Sequence, residues 1–331
     1  MTQTTQRTSI NPMIFVGAGA GVLVLGLLIW GPVALVSGED NGEGDQTIAK
    51  SPGSSSKPNG SIAKPPESFD ADAVKKRMTP AQLALGDPVV NSAGMVLVPI
   101  PAGQFQMGSP DSNRNNEKPQ HLVKITKPFY LSVYEVTQQQ YEKVMGVRPW
   151  QGKESTGEKK WGKDGPDYPA TYMDWKDAVE FCRKLSEQEG VEYRLPTEAQ
   201  WEYACRAGTT TVFSFGDDAS QLEQYAWYDK NAYAVRENYA HRIGQKLPNP
   251  WGLYDMHGNV SEWCQDRYAE DYDKPAKTVS DPMGPAQGTF RLLRGGSFVT
   301  LSSIVRSALR YSNRPTDRSP SIGFRPSRTY P

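Results

Sequence analysis

The chain has 331 residues, 37% of them apolar, with 30 glycines and 26 prolines; this composition argues against a helical bundle and for a loop-rich domain. Lys plus Arg (37) equal Asp plus Glu (37), and zero net charge removes the electrostatic case for a nucleic-acid partner or for adsorption to a membrane surface. At roughly 100–200 residues per domain, the length accommodates one large domain or two ordinary ones.

From the N-terminus, residues 11–38 carry no charged side chain, and residues 13–36 are mostly Ile, Leu, Val, Gly and Ala, long enough to cross ~30 Å of hydrocarbon as a helix. The run is longer than the apolar region of a cleaved signal peptide, and Leu35-Val36-Ser37 makes a poor cleavage site, so an uncleaved single-pass anchor is expected. Arg7 precedes it, while Glu39, Asp40, Glu43 and Asp45 follow it. The positive-inside bias then makes residues 1–12 a cytoplasmic tail and places the rest of the chain outside, in a periplasmic or extracellular setting.

Residues 39–66 are rich in Gly, Ser, Pro and charge, a composition that cannot offset the entropy of ordering and reads as a tether. As a flexible coil it would reach roughly 30 Å r.m.s.. One short helix is expected within residues 68–87, inside a linker taken as residues 39–94, with the domain running over residues 95–331.

Within that domain, residues 95–100 and 129–134 read as strands. Three helices are announced by capping spacing: Thr137-x-x-Gln140 with a stop at Gly146, Asp174-x-x-Asp177 with a stop at Gly190, and Thr197-x-x-Gln200 with an end near Gly208. In each, a side-chain oxygen can accept an orphan amide hydrogen bond at the start, and a glycine can supply a left-handed exit. After Gly208 no strong helical period appears, giving an α+β reading without internal repeats.

In order, the segments resemble the formylglycine-generating enzyme, or sulfatase-modifying factor, family. The likeness is carried by Met95-Val-x-Val-Pro-x-Pro-Ala-Gly-x-Phe-x-Met-Gly108, Glu135-Val-Thr-x-x-Gln-Tyr141, Arg194-Leu-Pro-Thr-Glu-Ala-Gln-Trp-Glu-Tyr-Ala204, Trp251-Gly-Leu-Tyr-Asp-Met-x-Gly-Asn-Val260, Arg294-Gly-Gly-Ser297 and Gly323-Phe-Arg325. The resemblance implies an irregular, loop-rich α+β fold related to C-type lectins. It also implies an oxidase that converts a cysteine of nascent sulfatases to formylglycine with oxygen and a copper(I) ion held by two thiolates. Thiolates suit Cu(I) where hydroxyls do not. The family's two cysteines follow the Gly-Gly-Ser turn at positions that here are Thr300 and Val305, and no cysteine occurs from Gln265 to Pro331. The copper-thiolate mechanism is therefore expected to be absent, with no catalytic residue assigned; Ser297 reads first as a turn residue and second as a ligand-binding candidate.

The three cysteines, Cys182, Cys205 and Cys264, cannot all pair, and they read as buried thiols or at most one bridge. His121, His241 and His257 show no zinc-binding spacing. Calcium is the one metal with a case. Asp255 and Glu262 stand seven residues apart around a Gly-Asn turn, and hard oxygen donors suit Ca²⁺. The resemblance implies a site made by the Asp255 and Glu262 side chains with the Gly258 and Val260 carbonyls; the alternative is that both acids merely cap the turn. For the family's other calcium site, Trp227 and Tyr228 are the carbonyl candidates.

Residues 291–331 hold eight arginines against one acid, Asp317, so the preceding body is correspondingly acidic. Arg306 and Arg310, spaced as on a helix, are candidates for an anionic ligand; the alternative is pairing with acids of the same domain. Asn59 and Asn259 begin glycosylation sequons. Two functional expectations follow: a calcium-stabilised, membrane-anchored binding or accessory module for a protein, peptide or glycan, or an oxidative maturation enzyme acting through a site other than the missing cysteine pair.

Overall fold

The computed structural model describes residues 70–110, 112, 114–151, 161–270 and 278–331, which fall within one unit of the chain. The expected membrane span at 13–36 and the tether at 39–66 lie outside the described residues. Among the described residues, no helix is long and apolar enough to cross a membrane.

The helices are α1 (Ala71–Lys75), α2 (Pro80–Leu83), α3 (Gln138–Met145), α4 (Trp175–Glu189), α5 (Glu198–Arg206) and α6 (Leu222–Tyr225). The single helix expected in residues 68–87 is two. Pro80 has no N–H to continue a helix, but it suits a first turn, and Thr79 with Gln82 forms a capping box that starts α2 afresh. The domain also begins before Met95. Val74 and Met78 are buried in the core, and Gln82 donates to the Trp251 carbonyl at 3.2 Å. Residues 70–94 are thus part of the folded body rather than linker.

The three longer helices start at the expected caps, with capping boxes at Thr137, Asp174 and Thr197. Gly146 and Gly190 take the left-handed exits. α5 differs: Ala207 takes the left-handed position at φ 48, one residue ahead of the expected Gly208.

The strands are β1 (Val89–Val90), β2 (Val96–Ile100), β3 (Gly103–Met107), β4 (His121–Ile125), β5 (Phe129–Ser132), β6 (Tyr193–Arg194), β7 (Ser261–Arg267), β8 (Thr278–Ser280), β9 (Arg291–Arg294), β10 (Tyr311–Asn313), β11 (Ile322–Gly323) and β12 (Ser327–Thr329). They form sheets of order β1-β2-β5-β12-β6, β10-β9-β7-β11 and β3-β4-β8. β2 is buried on both faces because successive side chains alternate: Val96, Val98 and Ile100 join a core cluster with Trp201 and Leu253, while Leu97 joins one with Tyr141, Phe181, Trp263 and Phe324. Antiparallel pairing of β12 with β5 sets Ser327 opposite Leu131, so the C-terminal arginine-rich segment is threaded through the body. In the four-stranded sheet, Glu262 of β7 sits opposite Arg294 of β9 and in parallel register with Gly323 of β11. That register brings sequence-distant charges to one place.

Candidate functional site

The turn after β9 is shaped by two glycines at φ 88 and 78. A Cβ on Gly295 would meet the Trp201 ring at 3.2 Å, and one on Gly296 would meet Val305 Cγ1 at 2.8 Å and Thr300 Cγ2 at 3.2 Å. Thr300 and Val305 therefore converge on one spot, as a pair of metal-binding positions must. What they present there is a methyl-lined surface. The Thr300 hydroxyl accepts the Ser297 N–H at 2.9 Å and lies 3.2 Å from the Ser297 hydroxyl, while Val305 is enclosed by Phe213, Leu222, Ala226 and Tyr228. This donor set does not fit copper(I). Ser297 is itself buried, a turn residue whose hydroxyl is turned to Thr300.

No bridge joins the cysteines: Cys182, Cys205 and Cys264 are free and buried. Burial pushes the Cys205 thiol up to about 12 and raises the other two as well, so none offers a thiolate at neutral pH. Cys205 Sγ lies 3.9 Å from His257 Nε2. That ring nitrogen accepts the Ser214 N–H at 3.1 Å and faces the Ser214 hydroxyl at 2.9 Å. Burial lowers the imidazole to about 3, a hydrogen bond with the Val305 backbone opposes that, and the Arg206 charge reinforces it. The ring is neutral and helps lock the loop behind the turn.

The arginine candidates are engaged inside the molecule. Arg310 grips Glu198 through two bonds of 2.5 and 2.9 Å, and Arg306 reaches both oxygens of buried Glu117 at 2.7 Å. No helix carries the pair; a 3-10 turn at Ser302–Ile304 precedes them. Arg306 also borders a 420 Å³ cavity with Gln106, Gln120 and Asp217. Arg310 belongs to a larger buried network. Arg294 Nη2 bonds Glu202 at 2.5 Å, and Arg206 bonds the other Glu202 oxygen at 2.8 Å. Burial alone would raise the Glu202 pKa, but the two guanidinium groups outweigh it and hold it below the usual carboxylate value.

The loop between Asp255 and Glu262 contains two left-handed non-glycine residues, Asp255 at φ 61 and Asn259 at φ 60. A Cβ on Gly258 would lie 2.1 Å from the Trp227 carbonyl oxygen, which itself accepts the Asn259 N–H at 2.8 Å. The four sequence-predicted calcium donors lie along this one loop, but their side chains fare differently. Glu262 accepts from Arg325 Nε and Nη2, each at 2.7 Å, and from the Trp201 indole at 2.8 Å. Asp255 accepts the Gly244 N–H through Oδ2 at 2.8 Å, while its buried Oδ1 has no partner among the described residues. Burial raises its carboxyl to about 6.

Two residues without an assigned role complete this neighbourhood. Asn259 is fully buried, which removes it as a glycan acceptor in the folded chain. Its side chain accepts the His241 N–H at 2.8 Å and donates to Glu135 Oε2 at 3.3 Å, and its carbonyl accepts the Phe298 N–H at 2.9 Å. It thereby ties the loop to the turn. Glu135 is also buried, and its Oε1 has no partner among the described residues. Burial, then the charges of Asp255 and Glu262, push its carboxyl well above the usual range. Its sequence signal was a lone acid between Tyr134 and Val136, both apolar in the core. Among the described residues, no group of three or more His, Cys, Asp or Glu side chains is arranged to hold a metal ion.

Residues 81–330 match the family described as sulfatase-modifying factor enzyme 1-like domain. The chain is 32% identical over 245 residues to the serine/threonine-protein kinase pkn1 of Chlamydia pneumoniae, a match over 69% of this chain and 37% of that protein, so it spans little more than a third of that relative's length. It is 27% identical over 317 residues to the formylglycine-generating enzyme of Thermomonospora curvata, covering 78% of this chain and 97% of that one. Among solved structures, PvdO from Pseudomonas aeruginosa superposes with a TM-score of 0.64 at 31% identity, over 72% of this chain and 95% of that one.

Proposed function

Starting from the fact that the chain belongs to the sulfatase-modifying factor family, we propose that it is a non-catalytic member: a calcium-stabilised binding or accessory module, held outside the cell membrane by a single N-terminal anchor and recognising a protein, peptide or glycan. The observation that carries this reading is the Gly-Gly-Ser turn, where Thr300 and Val305 converge on Gly296 with a hydroxyl already hydrogen-bonded and an isopropyl group in an apolar pocket. A copper(I) oxidase needs soft sulfur donors at that point. The turn itself is fully built, with Gly295 and Gly296 in close packing and Asn259 tying it to the Asp255 loop, an arrangement suited to display and without a soft donor for redox chemistry. Calcium in this reading pins the Asp255 loop rather than taking part in a reaction.

The test is to incubate the full-length chain with copper(I), oxygen and a sulfatase-type peptide of the form Cys-x-Pro-x-Arg, and to follow the peptide by mass spectrometry. The expected result is unchanged peptide. Conversion of its cysteine to formylglycine would replace this reading with the oxidative-maturation alternative.

A further inference from the structure

Arg206, Arg294, Arg310 and Arg325 each bond a buried carboxylate, but Arg194 of β6 does not. Its side chain is partly buried, and its hydrogen bonds run from Nη1 to the Leu195 carbonyl at 3.0 Å and to the Gln265 side-chain oxygen at 3.4 Å. Neither acceptor carries charge, and no carboxylate pairs with this guanidinium among the described residues. Burial lowers its pKa, and the charges of Glu192 and Asp266, neither of them in contact, oppose that. Arg291 of β9 repeats the pattern beside it. It donates to the Gln265 main-chain carbonyl at 2.8 Å and lies 3.7 Å over the Trp175 ring, again with no carboxylate partner among the described residues. Taking a cation out of water without an adjacent anion is costly, so an anion arriving from outside would stabilise this position.

There is room for one. Arg194 lines a 370 Å³ cavity with Trp175, Val179, Tyr193, Leu195 and Gln265. The Trp175 indole already donates to the Cys264 carbonyl at 2.9 Å, so what it adds to the wall is carbon, and Val179 is 36% exposed on α4. The cavity thus joins an apolar wall to a guanidinium that lacks an acid. Two acids also line it: Glu187, which is bonded by Arg183, and the exposed Glu192. Their charges oppose a doubly charged phosphate more than a singly charged group, and the planar fork of arginine matches a carboxylate. The volume lies at the small end of the roughly 300–1,000 Å³ typical of ligand pockets, which suits one terminal residue better than a long segment.

We propose that this cavity binds the C-terminal residue of a peptide, with Arg194 taking the free carboxylate and Trp175, Val179 and Leu195 taking an apolar side chain. This rests on the reading of the chain as a binding module and names the chemistry of its ligand. Capture of a chain end by a fixed donor is an established mode of peptide recognition. The site is built by α4, β6 and β7, away from the Gly-Gly-Ser turn in sequence, so it does not depend on the chemistry at Thr300 and Val305.

The test uses the full-length chain and isothermal titration with three probes: N-acetyl-leucine, its amide, and 4-methylpentanoate, which keeps the carboxylate and the branched alkyl group without the peptide unit. N-acetyl-leucine is expected to bind at least about tenfold more tightly than its amide and more tightly than 4-methylpentanoate. Arg194→Gln, with folding checked by circular dichroism, should abolish the difference between acid and amide. Equal binding of acid and amide by wild type, or no binding of either, overturns this inference, as does an acid–amide difference that survives in Arg194→Gln. Equal binding of 4-methylpentanoate overturns the peptide assignment and leaves a site for free carboxylic acids. If Arg194→Gln does not fold, Val179→Glu decides, because it sets a negative charge beside the cavity on an exposed helix position: weakened binding of N-acetyl-leucine supports the site, and unchanged binding overturns it. Conversion of the Cys-x-Pro-x-Arg peptide would overturn the non-catalytic reading without altering the acid–amide difference, so the two failures are distinguishable.

Discussion

The two buried ion networks are built from the same kinds of side chain, arginines and carboxylates, and satisfy them differently. In the first, Arg206, Arg294 and Arg310 surround Glu198 and Glu202, and each carboxylate oxygen of those two acids meets a donor. In the second, one arginine, Arg325, faces Glu135, Asp255 and Glu262, and two oxygens are without a donor among the described residues. A buried pair with complete hydrogen bonding is a rigid cross-link. A surplus of acid leaves carboxylate oxygens buried without a donor among the described residues, and burial then raises the carboxyls of Glu135 and Asp255. Arg294, Arg310 and Arg325 come from the arginine-rich C-terminal segment and Arg206 from α5, and the difference lies in how many guanidinium groups each cluster receives.

The largest effect is expected from breaking the network whose carboxylate oxygens all meet donors. Glu202→Gln leaves Arg206 and Arg294 buried and under-neutralised, and should cost about 3–5 kcal/mol of stability in chemical denaturation. Trp201 joins the two networks, since its indole donates to Glu262 while Arg294 lies 5.4 Å over its ring. Trp201→Phe removes a hydrogen bond to a charged group and should cost about 1.5–3 kcal/mol, with the loss read in the same denaturation series.

The pH profile separates the two kinds of acid. Glu202 is held below its usual value, so its contribution is present above its unfolded pKa and is lost as the pH falls. Asp266 runs the other way: burial, then the Glu198 charge, raise it to about 7 from 3.8. Folded, it holds its proton more tightly, so its contribution is full below the unfolded value and is lost as the pH rises towards about 7. Asp266→Asn should flatten that decline between about pH 4 and 7 in thermal melts; an unaltered slope would show that Asp266 does not titrate there. The smallest effect is expected at the unbalanced cluster. Burial keeps Glu135 protonated to well above the usual carboxylate range, so Glu135→Gln exchanges it for a neutral group of the same shape and should change stability by no more than about 1 kcal/mol in the same denaturation series. A loss as large as that of Glu202→Gln would mean that the two networks are alike after all.

The caps of α3, α4 and α5 were legible because each is a contact between residues three apart. The exits at Gly146 and Gly190 were legible because glycine takes a left-handed backbone without a Cβ penalty, whereas the exit at Ala207 was not, since alanine carries no local signal for it. The single helix expected in residues 68–87 is two because Pro80 has no N–H to continue α1 and, capped by Thr79, starts α2 afresh. The domain start at Met95 was late because Val74, Met78 and Gln82 are too sparse to announce a core until Trp251 and its neighbours are folded beneath them. At the turn, the substitutions Thr300 and Val305 could be read from the sequence, but their meeting at Gly296 required the backbone geometry.

The sequence by itself determined the family scaffold, the helix starts, the missing thiol pair and the excess of arginine near the C-terminus, because these depend on residue identity and short spacing. Tertiary structure decided which acid each arginine neutralises. Glu262 and Asp255 are equivalent candidates by spacing, yet the parallel register of β11 with β7 delivers Arg325 to Glu262 alone. Charge pairing depends on distance and burial, and neither is a property of the sequence until the strands have set the register.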